Sequence, residues 1–210
     1  MKKFQLSPAC FLLFAALLTE GGLAVLAVCL GRSFGIPVVS RTKWEESAIW
    51  IQAILVGSAA VLPPLVLCWG IYRFSWKSVE LIKKFLDIFY NDFLRHCRIW
   101  QILFLSILAG LGEELFFRGL LQTGLIKWLA WFGASPTAAS VSGILLASLF
   151  FGLAHPVSRL YVMICFLIGI YCGLLFLVTG NILVPIFFHA EYDFLVIVLW
   201  PKFSSRVSSR

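Results

Sequence analysis

The chain has 210 residues, is 61% hydrophobic with a mean hydropathy of +0.97, and carries a formal net charge of +7. A soluble domain of this size has no need for so much apolar surface, so its solvent is lipid. The basic residues are spread between apolar stretches rather than gathered into one patch, which excludes nucleic acid as a partner and suits anionic lipid headgroups.

Lys2 and Lys3, followed by apolar residues from Pro8, imitate a signal peptide. The apolar run is interrupted by Glu20-Gly21-Gly22 but resumes to Leu30 without an A-x-A site, so a retained membrane helix is expected over 9–31. A second span is expected over 48–72, with Pro63 and Pro64 kinking it. From Lys77 to Arg95 the pattern changes. Ile82, Phe85, Leu86, Phe89 and Phe93 recur at helical spacing, with Lys83, Lys84, Asp87 and Asp92 between them, as in an amphipathic helix lying on the membrane surface. Four more spans follow, over 99–120, 137–155, 159–178 and 181–200. Residues 121–135 are too few and too mixed to span and read as a helix end and loop, with Trp128 and Trp131 at the interface. The expected fold is all-α, a polytopic membrane bundle of about six transmembrane helices plus one interfacial helix. No internal repeat divides it, so 1–210 reads as a single integral-membrane domain.

Cys10, Cys29, Cys68, Cys97, Cys165 and Cys172 form no C-x-x-C pair and read as small buried hydrophobes. With the N-terminus inside, twelve lysines and arginines fall on the inner side: Lys2, Lys3, Arg73, Lys77, Lys83, Lys84, Arg95, Arg98, Arg159, Lys202, Arg206 and Arg210. The outer loops hold four, namely Arg32, Arg41, Lys43 and Lys127. This asymmetry predicts a multi-pass protein with both termini cytoplasmic, and a bacterial inner membrane is the expected location.

Within this apolar chain stand Glu113, Glu114 and Arg118. Each ionised group near a bilayer centre costs roughly 2.5–3.5 kcal/mol even on the lenient insertion scale, so three unpaired ones would cost on the order of 8–10 kcal/mol. Glu114 and Arg118 are four apart, on one helix face and in the better order for a pair. Glu113 lacks such a partner and suits a general base. Phe151 and His155 form a second i, i+4 pair, and His189 and Asp193 a third, in which the carboxylate can fix the ring's tautomer. His96, in the basic loop, reads as a surface residue. An inert polar cluster gluing helices is the bland alternative. Depths along the helices agree only partly. Glu113 lies roughly 22 Å in from Arg98 and His189 about 16 Å in from Trp200, whereas His155 falls at the end of its span.

The three patterns in this order, E-E-x-x-x-R, F-x-x-x-H and H-x-x-x-(N/D), resemble the CPBP family of CAAX-protease and bacteriocin-processing proteins, glutamic-type intramembrane proteases also known as the ABI family. The flanking text is similar too, in Glu-Glu-Leu-Phe-Phe-Arg-Gly, Phe-Gly-Leu-Ala-His and Thr-Gly-Asn-Ile-Leu-Val-Pro-Ile-Phe-Phe-His, and the resemblance covers 99–195. It implies an intramembrane endopeptidase with a catalytic core over 99–195. Glu113 would activate water, Glu114 and Arg118 would organise its helix, and His155 and His189 would complete the site. The implied substrate is a membrane-anchored or lipidated protein, cut in a membrane-proximal or C-terminal tail. The last position, often Asn in the family, is Asp193 here, with Glu191 an extra acid nearby. Asn can donate to an oxyanion and ionised Asp cannot, so Asp193 is either protonated, or an orienter of His189, or close to a cation. Water activated by Glu113 is the favoured chemistry. A divalent metal such as zinc on Glu113, His155 and His189 stays open, although H-E-x-x-H is absent. A non-catalytic member acting as an immunity, scaffold or partner-binding protein is the alternative function. A transporter would need paired broken helices, which the sequence lacks, and rhomboid-type serine chemistry finds no G-x-S-G.

Overall fold

The computed structural model describes residues 7–39, 45–74 and 76–204. Lys2, Lys3, Arg41, Lys43, Arg206 and Arg210 of the charge count lie outside the described residues. Seven helices and no strands are present among those described, and six helices are long and apolar enough to cross a membrane. The protein is an integral, multi-pass membrane protein.

Helix α1 runs over Pro8–Ser33, with Ser7 accepting from the Cys10 amide at 3.2 Å as its cap. α2, Ser47–Tyr72, continues unbroken through Pro63 and Pro64. α3, Lys77–Asp92, is the amphipathic helix, closed by a short 3₁₀ turn at Leu94–His96. Lys83 on α3 is buried, bonded to Glu80 at 2.7 Å and to the Phe74 carbonyl at 3.3 Å, while Leu81, Phe85 and Ile88 are left exposed. His96 is exposed, as its sequence context suggests.

α4 differs from its expected form. It runs over Ile99–Trp131, 33 residues, so residues 121–131 are helix and not loop. Nothing between Leu120 and Trp131 breaks a helix, and Gly124 lets Ile36 pack close. The first stop is Gly133 at φ +87. A helix of that length is about 50 Å long, well beyond the hydrocarbon core of a bilayer. α5, Pro136–Leu153, is short and capped by Ser135. It ends before His155, so the expected span 137–155 runs two residues too far at its end. α6, Arg159–Thr179, ends at Gly180 in the left-handed region, φ +64, which glycine adopts without strain. α7 runs over Leu183–Ser204. Asn181 fixes its start, accepting from the Leu183 amide at 3.0 Å and donating to the Ile49 carbonyl of α2 at 2.9 Å.

Small residues let these helices approach closely, the usual basis of packing in lipid. A Cβ at Gly110 would lie 2.9 Å from the Ile186 carbonyl oxygen, and one at Gly57 3.0 Å from that of Val184, so α7 is clasped between α4 and α2. Gly112 meets the backbone of Glu20 on α1.

Two helices loosen locally to i→i+5 bonding, α1 at Leu17–Gly21 and α4 at Leu115–Gln122. Such π-turns occur often at functional sites. Here they bracket the charged residues.

Candidate active site

Glu114 is fully buried. Its Oε2 lies 3.1 Å from Arg118 Nε, the pair expected from the i, i+4 spacing. Its Oε1 accepts from His189 Nδ1 at 2.8 Å, bringing α7 onto α4. Arg118 is buried as well. It donates through Nη2 to the Gly169 carbonyl at 3.1 Å, and its guanidinium lies 4.5 Å from the centre of the Phe151 ring. A buried ion pair is tolerated only where the remaining donors and acceptors are satisfied. Carbonyl, ring and histidine together supply much of that.

His189 holds a hydrogen bond on one nitrogen and faces a carboxylate with the other, because Nε2 is 3.4 Å from Asp193 Oδ2. The order Arg118, Glu114, His189, Asp193 is thus one chain of charge-assisted contacts across two helices.

Glu113 stands apart from that chain. Its Oε1 is 3.8 Å from His155 Nε2, and its Oε2 is buried without a hydrogen-bond partner. His155 sits just past the end of α5, with Nδ1 2.8 Å from the Phe151 carbonyl oxygen. That nitrogen therefore carries the proton it donates, and Nε2 is turned toward Glu113. The depth mismatch resolves here. α4 extends about 21 Å beyond Glu113 on its Ile99 side, and α5 stops at mid-length of α4. A residue at the end of the shorter helix therefore meets one in the middle of the longer.

Phe151 forms the wall between the two halves. Its ring centre is 4.9 Å from that of His155 and 6.1 Å from that of His189, and it packs edge-on against Phe117 at 5.1 Å. Cys165, Tyr161 and Leu23 complete this apolar side.

Every candidate site residue of the sequence, Glu113, Glu114, Arg118, His155, His189 and Asp193, falls in this one region. Glu191 does not. It points to the opposite side of α7 and takes a 2.5 Å hydrogen bond from Ser58 on α2, so it is no extra acid of the site. Three features escape a reading by motif. Gln122 is buried and donates to the Gly173 carbonyl at 3.2 Å, one turn along from Arg118 and Gly169, making a second rung between α4 and α6. Gly173 admits its rung because a Cβ there would lie 2.8 Å from Gln122 Oε1, and a Cβ at Gly169 would lie 3.0 Å from Ser148 Cβ of α5. Glu20 of α1 is the third. The four-residue spacing of Arg118 with Gln122 and of Gly169 with Gly173 was the available signal for the rungs.

Glu113, His155 and His189 do not converge as ligands. Among the described residues no group of three His, Cys, Asp or Glu side chains is arranged to hold a metal ion. His189 is engaged by Glu114 and Asp193, which leaves only His155 Nε2 turned toward Glu113.

No curated protein and no solved structure matches the chain. A family model described as Rce1-like, type II CAAX prenyl endopeptidase, matches residues 95–195. That segment, just under half of the chain, contains Glu113, Glu114, Arg118, His155, His189 and Asp193, and its match supports the CAAX-protease (CPBP) family.

Proposed function

We propose that the protein is an intramembrane endopeptidase that hydrolyses a membrane-proximal or C-terminal tail peptide of a membrane-anchored or lipidated protein. The observation that carries this reading is the division of the double glutamate. Glu114 is held by Arg118 at 3.1 Å and by His189 at 2.8 Å, while Glu113 has His155 at 3.8 Å and no hydrogen bond to its buried Oε2. A carboxylate so placed accepts a proton from water.

In the proposed reaction Glu113 takes one proton from water as the oxygen attacks the peptide carbonyl carbon. The carbonyl π electrons move to oxygen, and the resulting oxyanion is met by a ring N–H donor. His155 supplies one from Nε2 when its ring is protonated, since Nδ1–H is committed to the Phe151 carbonyl. His189 is held in orientation by Glu114 and Asp193 and borders the same space. Collapse of the intermediate breaks the C–N bond, and the proton on Glu113 passes to the leaving amine. Glu113 itself, rather than a bound cation, activates the water. In this reading 99–195 is the catalytic core of a single domain, and the Lys and Arg asymmetry sets both termini on the cytoplasmic side.

The test uses the full chain in vesicles with a farnesylated peptide ending in a Cys-aliphatic-aliphatic-X tail. The wild type releases the tail, and Glu113→Gln abolishes release while the protein keeps its thermal midpoint. Undiminished cleavage by Glu113→Gln would remove the mechanism. A biological role that survives this substitution but not loss of the whole protein would indicate a scaffold or immunity function instead.

A further inference from the structure

Glu20 is an acid in the middle of a membrane helix, about 18 Å along α1 from Pro8. The family match begins at residue 95, so it says nothing of this position. Glu20 sits in the π-turn of α1, and its backbone rests directly on Gly112, the residue before Glu113. One turn further along, Leu23 packs on the Phe117–Phe151–Cys165 wall of the site. The half-buried Glu20 carboxylate lies within electrostatic reach of Glu113, His155, His189 and Asp193. It is thus a member of the site contributed by a fifth helix.

The charges around it do not balance. Glu114 is matched by Arg118. Counted as ionised, the three remaining carboxylates, Glu20, Glu113 and Asp193, outnumber the two histidines by one. Glu113 faces His155 and Asp193 faces His189. The side-chain hydrogen bond given to Glu20 comes from the Thr19 hydroxyl at 3.2 Å, and that same hydroxyl also lies 3.0 Å from the Ala15 carbonyl. The helix around Glu20 exposes Leu17 and Leu18, surroundings that solvate a carboxylate poorly. Within the same group the buried Oε2 of Glu113 also lacks a partner and awaits a donor.

We propose that Glu20 is a specificity-determining residue, whose carboxylate binds a cationic group of the substrate, an ammonium or guanidinium carried close to the bond that is cut. This rests on the proteolytic reading of the site. It gives α1 a reason to bring an acid into lipid, and the π-turn a reason to exist, since one extra residue in the turn rotates Glu20 toward α4.

The experiment uses the full chain in vesicles and farnesylated peptides in which one lysine is moved through the positions flanking the cleaved bond. Each is matched to its glutamine counterpart. With the wild type, at least one lysine peptide is expected to show a KM about tenfold below its glutamine match, the size of one partly buried ion pair. Glu20→Gln should erase that preference, bringing the KM of the lysine peptide to that of its glutamine match. Glu20→Asp should restore part of it, and Glu20→Lys should favour a glutamate peptide. An equal change of kcat on both peptides, or an unchanged preference, overturns the proposal. If no peptide is cleaved, the proteolytic reading fails by itself, and binding of the same peptides decides on Glu20. Tighter retention of a lysine peptide by the wild type than by Glu20→Gln sustains the cation site, and equal retention overturns it.

Discussion

On one side of α4, Glu114 is fully buried and held by Arg118, His189 and, through them, Asp193 and the Gly169 carbonyl. On the other, one residue earlier, Glu113 faces only His155, at 3.8 Å, and keeps a buried oxygen without a partner. Both are glutamates at the same depth of the same helix. What separates them is how many donors surround each. A carboxylate held by a guanidinium and a ring N–H stabilises a fold, whereas one with a histidine only at 3.8 Å is placed to take a proton. In the proposed reading the first half of the site is a scaffold, and the second is where the chemistry occurs.

The sharpest way to break this comparison is to neutralise each glutamate in turn. Glu113→Gln should lower kcat by about 10²–10⁴-fold, the range for loss of a general base, with little change in thermal unfolding in micelles. Glu114→Gln should instead destabilise by about 3–5 kcal/mol, because Arg118 is left buried without its counter-ion. If both variants lose activity with both folds intact, the division between them is wrong.

A smaller effect is expected at the arginine. Arg118→Lys keeps the charge but loses the simultaneous contact to Glu114, to the Gly169 carbonyl and to the Phe151 face. About 2 kcal/mol of stability should go, with activity falling in proportion to the folded fraction. Smaller still is Gln122→Leu. It removes the rung to Gly173 but leaves that carbonyl in a helix, so about 1 kcal/mol is expected in chemical denaturation. The least effect belongs to Asp193→Asn, which introduces the residue more common in the resemblance. His189 stays anchored by Glu114, so kcat should stay within about threefold. A collapse of activity there would show that the carboxylate acts on the reaction directly.

Much of the scaffold half was legible in the sequence. The Glu114–Arg118 pair is local to one helix, and helical spacing alone places both groups on one face. The partner of His189 was not legible. Asp193 was visible at i, i+4, but Glu114, 75 residues away, holds the ring more closely. Glu191 and Asp193 read as two acids of one neighbourhood, yet two residues along a helix is more than half a turn, and Ser58 takes Glu191 to the far side. Residues 121–135 are too few and too mixed to read as a span, yet α4 continues through them to Trp131, and Gly133 at φ +87 marks its stop.

The sequence by itself determined the spans, the surface helix, the order of motifs and the one local ion pair. Hydropathy and i, i+4 spacing require no knowledge of neighbours. Tertiary structure alone decided that His189 belongs to Glu114 and His155 to Glu113, that Gln122 and Gly173 form a rung, and that Glu20 lies against Gly112. The spans are apolar nearly all round, so no polar stripe announces which face turns inward. The π-turns also shift the helix phase just where the charges lie, beyond the reach of a 3.6-residue count. Which carboxylate is left free was therefore settled by packing: glycines let the helices close, and the donors that close with them choose their acceptors.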